Sequence, residues 1–227
     1  MADATEDQAA IRAMPNGPWV VAADVPLVRK HIVRSEQGES LTWLRDETVE
    51  TEGVYALCRC GGSANKPFCD GTHNTSGFDG SDAHPDVTTY DERAKVLGGT
   101  RIVVRDDRSI CAHAGFCGNH VTNVWDMVAD LDEDTVVRAQ AMAMIERCPS
   151  GALSYSLEGT DDDVEPDLPA EIALMADGPL FVSGGVSVSR ADGARLEERN
   201  RVTLCRCGAS KAKPRCDGSH GTIGFKG

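Results

Sequence analysis

The chain has 227 residues, 23 of them Lys or Arg and 36 Asp or Glu, for a formal net charge of -13. That balance argues against nucleic acid as a partner, because affinity for a polyphosphate comes from cations, and it makes a basic protein surface the complementary one. The 41% apolar content fills a core of ordinary size, enough for one or two domains.

Residues 1–16, MADATEDQAAIRAMPN, have neither the basic start nor the apolar run of a secretion signal and are expected as an N-terminal tail. No window approaches the ~18 apolar residues of a membrane span. With nine cysteines and no export signal, the expected location is a reducing one, the cytoplasm, where thiols serve metals rather than disulfides. From Gly17 to Arg29 the chain reads GPWVVAADVPLVR, whose apolar and β-branched positions predict short strands. The connection SEQGESLTWLRDETVETEG predicts an extended hairpin or surface loop, and VYALCRC a further strand.

That strand runs into CRCGGSANKPFCDGTH, residues 58–73, and the same design returns as CRCGASKAKPRCDGSH at 205–220. Cys58, Cys60, Cys69 and His73 fall at the same offsets as Cys205, Cys207, Cys216 and His220. Three thiolates and one imidazole make a metal site. Two cysteines one residue apart can clasp one iron, and a Cys and His four apart on a helix start can hold a second, which is a ligand set for a 2Fe-2S cluster. Tetrahedral zinc takes the same ligand count and stays open as the alternative, although zinc knuckles more often use C-x2-C.

Both copies fill the pattern C-x-C-x2-S/T-x3-P-x-C-D-G-S/A/T-H, with Ser63, Pro67, Asp70, Gly71 and Thr72 in the first and Ser210, Pro214, Asp217, Gly218 and Ser219 in the second. In this the chain resembles the CDGSH iron-sulfur (NEET) proteins. The resemblance implies two 2Fe-2S clusters, each ligated by three Cys and one His, with the His on the iron nearer solvent. The two Asp are expected as acceptors or helix caps beside the ligands, the two Gly as tight turns and the two Pro as stiffeners of the loop. A module of this size is marginal alone, so two should pair. The resemblance implies pairing about a two-fold axis with exchanged strands forming a β cap. Both modules can come from one chain as a pseudo-dimer, or each can pair with its counterpart in a second chain.

Between the modules, residues 81–160 carry SICAHAGFCGNH and ERCPSGALSY. Cys111, Cys117 and Cys148-Pro149 follow a bacterial ferredoxin layout, with Ala114 where a middle cysteine would stand. The segment resembles single-cluster ferredoxin-like domains with a C-x-H-x3-C loop and a CPSGAL ending. Three cysteines without a fourth ligand favour 3Fe-4S, and 4Fe-4S is the alternative; His113 is the available substitute ligand but is read as a polar residue beside the cluster. TRIVVRD and GALSYSL predict strands. Val136, Val137, Ala141, Met144 and Ile145 predict a helix started by Asp134 or Thr135 and stopped before Pro149. An acidic linker, 161–177, leads to GPLFVSGGVSVSR at 178–190, which aligns without a gap on 17–29, and RVTLCRC repeats the strand before the motif.

The expected fold is thus α+β: a tail (1–16), a first CDGSH module (17–80), a ferredoxin-like domain (81–160), a linker (161–177) and a second CDGSH module (178–227). His31, His84 and His120 stand outside any ligand spacing. Three ligand sets of three use all nine cysteines, so none remains for a thiol enzyme, and no GxSxG, P-loop or GxGxxG pattern appears. The expected function is single-electron transfer with a redox protein such as a reductase. The alternative is donation of a labile His-ligated 2Fe-2S cluster to an apo-acceptor, or pH and redox sensing, since protonated imidazole cannot bind iron.

Overall fold

The computed structural model describes residues 9–82 and 88–227 and is a mixed α+β fold dominated by short strands. The first part supplies β1 (Ile11–Ala13), β2 (Trp19–Val21), β3 (Leu27–Arg34), β4 (Ser40–Val49) and β5 (Tyr55–Leu57). The middle part holds α1 (Tyr90–Arg93), β6 (Lys95–Gly98), β7 (Ile102–Asp106), α2 (Val124–Met127), α3 (Thr135–Glu146) and β8 (Leu153–Leu157). The last part adds β9 (Glu171–Met175), β10 (Leu180–Ser183), β11 (Val188–Ser189), β12 (Arg201–Leu204) and α4 (Ser219–Thr222).

The sheets do not respect the repeat boundaries. One runs β11-β1-β2-β5 and another β12-β10-β9-β3-β4. In the first, β1 lies parallel to β11 with Ile11 opposite Val188; in the second, β3 lies parallel to β9 with Leu27 opposite Ile172. Ile11 and Ile172 hold equivalent places before the two Gly-Pro pairs, and Leu27 and Val188 equivalent places after them. One pairing is therefore made twice with the modules exchanged, so each donates a strand to the other's sheet. Stretches 1–16 and 161–177, expected as tail and linker, instead contribute β1 and β9. Their apolar residues Ile11, Ile172 and Leu174 are buried at the junction, where they cover strand edges that would otherwise stand open. The resulting core draws on both modules, joining Ile11, Trp19 and Leu57 to Ile172, Val188 and Leu204.

The middle part has its own core, in which Ile102, Val104 and Tyr155 of the antiparallel sheet β6-β7-β8 meet Leu131 and Ile145. Asp134 caps α3 by accepting from the amides of Val136 and Val137, and Ala141, Met144 and Ile145 form its buried face. Val136, expected in that stripe, is 73% exposed. A stripe through Val137, Ala141 and Ile145 advances by four at each step, and Val136 stands one place off it. The long connection of the first module is a hairpin, β3 with β4, that reaches the middle part. Trp43 stacks between Phe116 and Phe181 at 5.0 and 5.6 Å and donates its indole N–H to Arg147 O at 3.0 Å. The Ser40 hydroxyl donates to Ala114 O at 2.8 Å, and Glu39 pairs with His120. His31 pairs with Asp46 at 2.8 Å, and His84 lies outside the described residues.

Candidate metal centres

Each CDGSH-type loop is folded by its own polar residues, identically in the two copies. The Ser63 hydroxyl donates to Phe68 O at 2.7 Å and accepts from the Asn65 amide at 3.0 Å; Ser210 does the same with Arg215 O and Ala212, at 2.7 and 3.1 Å. Asp70 accepts from the amides of Ala64 and Thr72 at 2.8 and 3.0 Å, and Asp217 from those of Lys211 and Ser219 at 2.8 and 2.9 Å. The two carboxylates thus tie the far end of the loop to the turn that carries the histidine, the acceptor role expected of them. The glycines that follow have φ of +87° and +84°, left-handed backbone that only glycine adopts cheaply.

This scaffold brings the donors together in couples. Cys58 Sγ and Cys60 Sγ are 3.8 Å apart, and Cys69 Sγ lies 3.3 Å from His73 Nδ1; in the second copy the distances are again 3.8 and 3.3 Å. Among the described residues no three such donors close on a single-ion position. Two couples, one Cys/Cys and one Cys/His, are the donor arrangement for two metal atoms. Burial pushes the Cys216 thiol up to about 12, and burial likewise raises Cys60. The contact between Cys205 and Cys207 draws the two thiols apart, Cys205 below the usual value and Cys207 above it. Thiols raised this way ionise only against a compensating positive charge, which a metal core supplies, so the donor chemistry fits one. Burial also holds His220 below the ordinary imidazole value, favouring the neutral form that can bind metal.

The two loops touch each other. Cys60 and Cys207 form an antiparallel bridge. A side chain at Gly61 would meet Cys207 O at 2.5 Å, and one at Gly208 would meet Cys60 O at 2.5 Å. The Trp19 indole donates to Cys205 O at 2.9 Å, so a first-module side chain holds a cysteine of the second motif.

In the middle part, Cys111, Cys117 and Cys148 border a cavity of about 140 Å³ that Phe116, Ala152 and Leu153 help to line. Burial raises both Cys111 and Cys117, the same electrostatic demand for a positive core. Ala114 and His113 line the same cavity, and Ala114 also packs against the apolar seam of Val28, Ala173, Met175 and Phe181. His113, with φ of +57°, lies against Gly218 of the second motif.

Sequence reasoning missed Arg59 and Arg206, each between the first two cysteines of its motif and each almost fully buried. Arg59 donates to Met14 O and Gly80 O, and Arg206 to Met175 O, Gly178 O and Gly227 O. Met14 and Met175 are equivalent, as are Gly80 and Gly227. The signal was there, since the repeat extends upstream of its assigned starts to Met14/Met175 and carries Phe78/Phe225 after the histidines.

Residues 16–74 and 177–221 match the family described as iron-binding zinc finger, CDGSH type, and residues 97–158 match a divergent 4Fe-4S mono-cluster family. No curated protein matches. The chain carries two CDGSH iron-binding regions with a divergent mono-cluster region inserted between them.

Proposed function

We propose that this chain is a carrier of single electrons that holds three iron-sulfur clusters and passes electrons between protein partners. Cys58, Cys60, Cys69 and His73 would hold one 2Fe-2S cluster, and Cys205, Cys207, Cys216 and His220 a second. Cys111, Cys117 and Cys148 would hold a cuboidal cluster. The matched family supports 4Fe-4S there, in place of the 3Fe-4S favoured from the missing cysteine alone. When bound, such clusters supply one-electron chemistry at potentials set by ligand type, hydrogen bonds to sulfur and burial.

The single observation that carries this reading is the contact of the two CDGSH loops at Cys60 and Cys207. It supports pairing of the modules within one chain, as a pseudo-dimer. The protein's own residues then do three things. The amides of Gly62, Gly71 and Gly218 donate to Cys60, Cys69 and Cys216 Sγ at 3.4, 3.5 and 3.4 Å, which raises the potential of a cluster held there. Arg59 and Arg206 keep fixed positive charge near the site, each felt by a cysteine of the opposite module, Cys205 and Cys58. The acidic surface selects a basic docking partner.

The partial exposure of His73 and His220 favours a second reading, donation of the His-ligated cluster. Mixing holo-protein with a reductase and separately with an apo-ferredoxin separates the two. The carrier reading expects fast reduction and retained cluster absorbance; transfer to the apo-protein without fast reduction would replace it with the donor reading.

A further inference from the structure

The two CDGSH motifs are alike internally but differ in what the middle part does to them. At Gly218 a side chain would meet the His113 ring, with Cδ2 at 2.6 Å and Cγ at 3.2 Å. At the equivalent Gly71 a side chain would meet only Asn74 Nδ2, at 3.8 Å and from its own loop. His113 sits two residues beyond Cys111 in the C-x-H-x3-C loop, and its amide donates to Cys111 Sγ at 3.4 Å. Gly218 sits two residues beyond Cys216, and its amide donates to Cys216 Sγ at 3.4 Å. The ring and turn in contact are therefore each fastened to a cysteine sulfur of a different site. His113 also holds left-handed backbone, unusual for a residue with a side chain, a conformation that persists only where the surroundings enforce it.

We infer that the middle three-cysteine site is coupled to the CDGSH pair through its second member, across the contact of His113 with Gly218. The three sites then stand in the order 111–148, 205–220, 58–73, the last step crossing the Cys60 to Cys207 bridge. His113 acts as a positioning residue that sets the separation of the first two. This rests on the iron-sulfur reading above and adds the order of the sites to it. The hairpin β3–β4, through Ser40 and Trp43, holds the other side of the same loop.

The test uses full-length holo-protein in two versions, His73→Cys and His220→Cys, each of which keeps four ligands while shifting the spectrum of one 2Fe-2S centre. Pulsed electron paramagnetic resonance then reads relaxation of each reduced 2Fe-2S centre with the middle centre diamagnetic or paramagnetic. The expected result is several-fold faster relaxation of the centre at 205–220 and a much smaller change at 58–73. Equal enhancement of both, or a larger one at 58–73, overturns the order while leaving the three-cluster reading intact; absence of any iron-sulfur signal removes that reading first. Gly218→Ala and Gly71→Ala share the same backbone strain, so they form a matched pair. Gly218→Ala should weaken the enhancement and Gly71→Ala should not, and equal effects would deny His113 its positioning role. Should Gly218→Ala fail to fold, the measurement on the two His→Cys proteins still decides the order.

Discussion

Between the first two cysteines of each motif stands an arginine whose charge the fold buries and then surrounds with carbonyl oxygens. Burial pulls Arg206 down to about 10, so it remains a cation at any physiological pH. Arg206→Met would leave Gly178 O without a donor and remove the guanidinium's bonds to Met175 O and Gly227 O, which keep the Gly178 and Asp177 amides, costing on the order of 3 kcal/mol. In a chain of this length that corresponds to a Tm lower by about 5–10 °C, measurable by calorimetry. The histidines give a prediction in pH. With His220 held below the ordinary value of about 6.5, the folded site disfavours the proton, so stability declines as pH falls below about 6.5. Asp70 cannot account for a loss in that range. Bonds from the Thr72 hydroxyl and the Thr72 and Ala64 amides hold it down to about 2, so its contribution is complete above about 3.9 and goes only as pH falls through about 2. Absorbance should therefore fade as pH falls below about 6.5, and His220→Cys should slow the fading and lower the potential of its centre. Unchanged kinetics in that variant would detach acid lability from the imidazole. The donors themselves were legible in the sequence because ligand spacing is local. The buried arginines were legible only through the longer repeat that carries Met14/Met175 and Phe78/Phe225, because their partners are distant backbone carbonyls that no local spacing marks.

The exchange of strands depends on elements too short to announce themselves. β1 has three residues and β11 two, and neither alternates long enough to be told from a loop. β9 was hidden differently. All five of its residues are buried, Glu171 by pairing with Lys30 at 2.7 Å, but it follows an acidic stretch that reads as linker. The strands before each motif and the helix capped by Asp134 were legible because their apolar period agrees with their tertiary burial. The hairpin β3–β4 was legible as an excess of chain, but not what it grips. Trp43→Ala removes both ring contacts and the bond to Arg147 O, a loss of about 2–4 kcal/mol for a partly buried aromatic. Amide exchange should quicken selectively at residues 111–118, next to the lost Phe116 contact. Uniform quickening across the chain would mean that the hairpin stabilises the fold without holding the loop. At the loop junction, Gly61→Ala or Gly208→Ala meets a carbonyl at 2.5 Å from rigid backbone and must part the two motifs. Each should cost more than the same change at Gly38 or Gly193, which have positive φ but open space, and denaturant midpoints compare them directly.

Across the whole molecule, the two modules share one core, and a third part is fastened to both by the hairpin and by Arg201. That arginine, almost wholly buried, donates to Ile145 O and Cys148 O while pairing with Glu165 at 2.6 Å, so β12 of the second module is bonded to the carbonyl of a middle-site cysteine. Among the described residues no helix is long and apolar enough to cross a membrane. The net charge of -13 predicts that association with a basic redox partner slows steeply as salt rises, which stopped-flow reduction at several ionic strengths would show as a falling rate constant. The central claim is that iron and inorganic sulfide occupy all three cysteine sets. Metal and acid-labile sulfide analysis of anaerobically purified protein tests it most directly. The account predicts iron and sulfide in equal amounts, two of each for either CDGSH site and four for the middle site; stoichiometric zinc without sulfide would contradict it.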